Sequence, residues 1–100
     1  MHMTLDHFRA CVANGALPDT VGAHVRALWH DARGDWDTAH RIVQALDDAE
    51  AAWVHAYLHR KEGDAGNAAS WYARAGRAVA HGALDEEWTR IVTALLVPEP

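Results

Sequence analysis

Cysteine is nearly absent from this chain, with Cys11 alone among 100 residues. One thiol permits no internal disulfide, and the opening Met-His-Met-Thr-Leu-Asp has neither a basic region nor a long apolar run. Together these predict a soluble protein of a reducing cytoplasm. No apolar stretch approaches the roughly 18 residues of a membrane span, so no membrane partner is expected. Lysine is equally scarce: Lys61 stands beside eight arginines, and the formal net charge is −5. An acidic chain gains nothing from counterion release at phosphates, which argues against nucleic acid as a partner. Ser70 is the only serine and falls inside an expected helix, without the strained turn that exposes a nucleophile. The glycines form no phosphate loop, since each Gly-Asp pair sets an acid where an anion would sit. Neither a catalytic residue nor a cofactor is expected.

What is present is core material. Half the residues are apolar and five are tryptophan, enough for a single domain over residues 1–100 without staples. The apolar positions recur at helical spacing. Thr4 can cap a helix carrying Leu5, Phe8, Cys11 and Val12, which Asn14-Gly15 ends. A second helix begins between Asp19 and Gly22 and carries Val25, Leu28, Trp29 and Ala32. After Gly34, Asp35 caps a third with Trp36, Ala39, Val43 and Leu46 on one face and Asp37, His40, Arg41 and Gln44 toward water. Asp47 and Glu50 have capping-box spacing for a fourth, to about Lys61, that is apolar around most of its circumference and therefore central. Gly63-Asp64 stops it. A fifth runs from Ala65 or Gly66 to about Arg77, and a sixth from Leu84 to about Leu96 with Trp88, Ile91, Val92 and Leu95; Pro98 and Pro100 make a frayed tail. Leu28, Trp29, Val43, Leu46, Trp53, Leu58, Tyr72, Trp88 and Ile91 are the expected core, and Trp36 is expected to be partly exposed.

The chain also repeats itself. Gly34–Ala39 recurs as Gly63–Ala68, 29 positions on, and the same offset pairs Ala27 with Ala56, His30 with His59 and Asp35 with Asp64. Each copy reads as a helical hairpin. The pattern resembles the tetratricopeptide repeat on Ala68, Tyr72 four residues later and Ala75; Ala39 and Val43 form the other copy. Small Ala27 and Ala56 precede His30 and His59 where that family has a Gly followed by Tyr. The offset is shorter than the family's roughly 34 residues, and no Pro closes either copy. The block from Ala52 to Gly76 also resembles a group of small uncharacterised bacterial proteins, a likeness that implies no activity.

The resemblance implies an all-α fold of two stacked antiparallel hairpins, Gly22–Arg33/Asp35–Leu46 and Asp48–Glu62/Ala65–Gly76, with a capping helix at each end. Ala27 should then face Ala39, and Ala56 face Ala68. It also implies a concave face lined by His24, Leu28 and Asp31 from one copy and Trp53, Tyr57, Arg60 and Lys61 from the next. Such a face suits a protein or peptide partner with an acidic group or free carboxylate. If the terminal helices fill that groove, the outer surface is left for homodimerisation.

Eight histidines invite a chemical reading. His55 and His59, four residues apart, share one helix face, the geometry in which two imidazoles hold a metal, with His30 as the third candidate. The zinc-protease version needs Glu after the first His, and Ala56 stands there. The packing alternative makes His30 and His59 equivalent inter-helix residues, His59 bonded near Ser70–Arg74 and His30 near Arg41–Ala45.

Overall fold

The computed structural model describes residues 3–96. The frayed tail expected at Pro98 and Pro100 lies outside them. The described residues form six helices and no strand: α1 Leu5–Asn14, α2 Ala23–Ala32, α3 Trp36–Gln44, α4 Ala49–Lys61, α5 Ala65–Ala75 and α6 Leu84–Leu95. No helix among them is long and apolar enough to cross a membrane.

Local chemistry sets most of the helix starts. Thr4 accepts from the His7 N–H, Asp35 from Thr38, Asp48 from Ala51 and Asp64 from Asn67, so four helices open on an oxygen that satisfies an otherwise orphaned donor. The cap of α4 is thus Asp48, one residue later than the capping-box spacing placed it. The connections α2–α3 and α4–α5 are built alike. Gly34 and Gly63 take left-handed φ values of 85° and 91° that a side chain would oppose. The following Asp35 and Asp64 donate their N–H to the carbonyls of His30 and His59, each at 2.9 Å. The sequence repeat is therefore a repeat of turn geometry. Two ends differ from expectation. α3 stops at Gln44, which leaves Leu46 in the connection and half-buried, and α5 stops at Ala75 because Gly76 turns left-handed.

α4 is the centre of the molecule. Its residues Ala51 to His59 are buried without interruption, and α2, α3, α5 and α6 all pack on it. The most extensive packing is between α4 and α5 and between α2 and α3. Ala27, Ala39, Ala56 and Ala68 are all at most 2 % exposed, as small residues at close helix crossings should be. Leu28, Trp29, Val43, Trp53, Leu58, Tyr72, Trp88 and Ile91 are buried, together with Phe8 and Val54.

α6 packs on α1, α2 and α4. Its Trp88 donates to the Leu28 carbonyl at 3.1 Å and stacks on Phe8 of α1 at 5.9 Å between centroids. α1 is tied down through Trp29, whose indole N–H reaches the Cys11 and Ala16 carbonyls at 3.3 and 3.1 Å.

Candidate metal centre

Where α3 crosses α4, three imidazoles meet. His55 and His59, one turn apart on α4, lie with ring centroids 4.8 Å apart and nearly parallel. α3 brings His40 onto the pair at 4.7 Å from His55 and 5.3 Å from His59. The Nε2 atoms of His40 and His55 are 3.0 Å apart, a hydrogen bond through one shared proton. One ligand-capable nitrogen from each of the three lies within 4.8 Å of the others.

Tryptophans hold these rings. Trp36, one turn before His40 on α3, stacks on it at 4.8 Å and donates its indole N–H to the Leu58 carbonyl at 2.8 Å, pinning α3 to α4. Trp71 of α5 stacks on His55 at 3.7 Å, and the Arg74 guanidinium covers Trp71 at 4.5 Å. His55 and His59 are consequently buried and His40 is half-buried.

Burial has an electrostatic consequence. Desolvation, reinforced by His40, His59 and Arg74, lowers the pKa of His55 from 6.5 to about 4. His40 is lowered too, by burial and His59, against the opposing pull of Glu62 and Asp37. Both rings are neutral at pH 7, the form in which imidazole ligates a metal. Among the described residues, His59 Nδ1 is the one buried side-chain polar atom without a hydrogen-bond partner.

The arrangement fits a dication that takes nitrogen ligands. Zinc–imidazole bonds of about 2.0–2.1 Å at tetrahedral angles put ligand nitrogens about 3.3 Å apart. The His40 and His55 Nε2 atoms, 3.0 Å apart, are already close to that separation, and a His59 nitrogen lies within 4.8 Å of a nitrogen of each. Three histidines would leave a fourth position for water or another ligand.

The sequence pairing of His55 with His59 is thus joined by His40, and His30 stands apart. His30 is on α2 with its ring edge against Trp29 at 5.0 Å, and its carbonyl accepts the turn bonds of Arg33 and Asp35. Neither packing bond expected of the repeat is formed among the described residues. His59 Nε2 lies 3.5 Å from Asn67 Nδ2, one turn before Ser70, and no side-chain hydrogen bond joins His30 to Arg41–Ala45. His40 escaped the sequence reading because the moment of α3 turns it toward water. Trp36 four residues ahead was the available signal, since an aromatic on that edge shows that the edge is covered.

The residues expected in a peptide groove bind other parts of the fold. His24 Nε2 meets both carboxylate oxygens of Asp48, at 2.9 and 3.0 Å, joining the start of α2 to the cap of α4. Asp31 is 2 % exposed and accepts from Tyr57 Oη at 3.2 Å and Lys61 Nζ at 3.0 Å. Burial, with Asp31 beside it, pushes the Tyr57 hydroxyl pKa well up, so it stays a donor. Arg60 bonds Glu87 of α6 at 3.0 Å and the Gly82 carbonyl, and Tyr72 shares Glu87. Trp53 is buried beneath the Arg77 guanidinium, 3.3 Å from its ring centre. A cavity of about 440 Å³ lined by Arg9, Asp31, Tyr57, Lys61, Asp85 and Trp88 remains between α1, α2, α4 and α6. No protein-family model matches the chain, and comparisons with curated proteins and with solved structures found no match.

Proposed function

We propose that this protein binds a single transition-metal dication of the zinc type through His40, His55 and His59. The observation that carries the reading is the convergence of three imidazoles from two helices, two of them held by stacked tryptophans. Imidazole sets suit zinc, copper and nickel and disfavour calcium or magnesium, whose ligands are oxygens. The ion replaces the proton shared between His40 and His55 and cross-links α3 to α4. An ion that binds the folded chain in preference to the unfolded one adds stability by mass action, up to about 2.7 kcal/mol at a hundredfold excess over Kd. The role supported is that of a metal-binding helical domain with a coordination position left for an outside ligand.

Support for a tetratricopeptide-like pairing of α2 with α3 and α4 with α5 comes from the matching turns at Gly34 and Gly63. A partner-binding groove has less support, because α6 packs on α2 and α4 and engages Arg60, one of the residues such a groove would use.

The test is metal analysis of protein purified without a tag, together with cobalt(II) substitution. Stoichiometric metal with visible d–d absorption, both lost in His40→Ala, supports the proposal. An unaltered cobalt spectrum in His40→Ala contradicts it.

A further inference from the structure

His59 is the ligand whose geometry is least settled by its two partner histidines, and its surroundings decide which of its nitrogens can reach an ion. Its Nδ1 is buried and makes no hydrogen bond among the described residues, yet Glu62 Oε2, three residues on in the same helix, lies 3.6 Å away. Its Nε2 lies 3.5 Å from the side-chain amide nitrogen of Asn67 on α5. A carboxylate can only accept and an amide N–H can only donate. Both neighbours therefore select the same tautomer, with the proton on Nδ1 and the lone pair on Nε2.

Glu62 is also an odd choice for stability. It is the C-cap of α4, where the helix dipole is negative and a carboxylate is disfavoured. The last turn already carries the favourable cations of Arg60 and Lys61. A group that opposes the dipole and lies beside a buried imidazole nitrogen without a partner fits a role other than holding the helix end.

Resting on the metal reading above, we infer that Glu62 is a positioning residue for the metal centre: it takes the Nδ1 proton of His59 and so presents Nε2 to the ion. Carboxylate–imidazole–metal relays of this kind fix ring orientation and raise ligand basicity, and loss of the outer partner weakens metal affinity by about 10–100-fold. Closing the 3.6 Å gap to hydrogen-bond length needs only a small rotation of Glu62, which is 38 % exposed and free to make it. His59 Nε2, on the far side of the ring from Glu62, lies 3.5 Å from Asn67 Nδ2. Asn67 thus covers the ligand nitrogen and gives way to the ion.

Two measurements test this on the full chain, with Glu62→Met removing the acceptor and Glu62→Gln keeping an oxygen in its place. The first is the two-bond proton–nitrogen correlation spectrum of the imidazoles, recorded without metal. The wild type should show His59 as the Nδ1–H tautomer, Glu62→Met a mixture or the Nε2–H form, and Glu62→Gln the wild-type form. The second is zinc affinity by competition with a chromophoric chelator, expected to fall about 10–100-fold in Glu62→Met and to be largely restored in Glu62→Gln. An Nε2–H tautomer in the wild type, or one unmoved by Glu62→Met, overturns the inference even if zinc binds. The expected tautomers with no zinc bound by any variant would retire the metal proposal while leaving the Glu62–His59 contact established. Zinc abolished by Glu62→Met but indifferent to His40→Ala would place the ion on Glu62 itself, which also overturns the positioning role.

Discussion

Acidification should destabilise this protein well above the range in which carboxylates titrate, and His55 is the reason. Its pKa is 6.5 when free and about 4 in the fold. A base whose pKa is depressed by folding contributes stability that is complete above its unfolded value and is lost as pH falls from 6.5 toward 4, because the unfolded chain binds the proton more readily. The difference of 2.5 units is worth about 3 kcal/mol in full, and the portion lost by pH 5 is about 2 kcal/mol. His40 shifts in the same direction and adds to the slope. For a domain of this size, with a total stability of about 5–15 kcal/mol, that is a large fraction. The assay is urea unfolding followed by far-UV circular dichroism, in the presence of a chelator, at intervals from pH 7.5 to 5. His55→Gln removes the group while keeping a polar side chain against Trp71. The slope should shrink in this variant by most of its wild-type value. Stability that is flat from pH 7 to 5, or a slope unchanged in His55→Gln, would refute the argument that burial holds this imidazole neutral.

Two further perturbations probe the frame around the site. Ala56→Leu puts three extra carbons at a fully buried position of α4 and should cost about 1–3 kcal/mol in chemical denaturation; a loss below a few tenths would remove the close-crossing argument. Lys61→Met removes the charge that compensates buried Asp31 and leaves Tyr57 as its remaining partner, at a cost of roughly 1–3 kcal/mol. The double variant with Asp31→Asn should recover part of that loss, and failure to recover it would mean that the pair is not energetically coupled.

Features of the fold determined by near neighbours in sequence were legible there. Thr4 and Asp35 cap the helices they appeared to cap, and Gly34 and Gly63 turn the chain where the repeat placed them, because a cap or a left-handed glycine acts over three or four residues. The uninterrupted apolar surface of α4 likewise announced a central helix. Less legible was whatever depends on which helix lies over which. Leu46 belongs to the apolar stripe of α3 by spacing, but the helix ends two residues earlier. The site shows the same division. His55 and His59 are adjacent on one helix and were visible as a pair, whereas His40 joins them only through the packing of α3 on α4. An imidazole on the edge of an amphipathic helix is equally at home in water and in a cluster, so periodicity could not assign it. The position of α6 across α1 and α2 depends on Trp88 meeting Phe8 and the Leu28 carbonyl, 80 and 60 residues away in the chain, separations no local signal spans.

Of all these statements the convergence of three histidines on one ion is the central one, and cobalt(II) titration of tag-free protein tests it most directly. The account predicts saturation at one equivalent, with d–d bands whose intensity marks four or five ligands, displaced by zinc and absent in His40→Ala. Titration that leaves the visible spectrum as that of aqueous cobalt, in protein shown to be folded by circular dichroism, would contradict it.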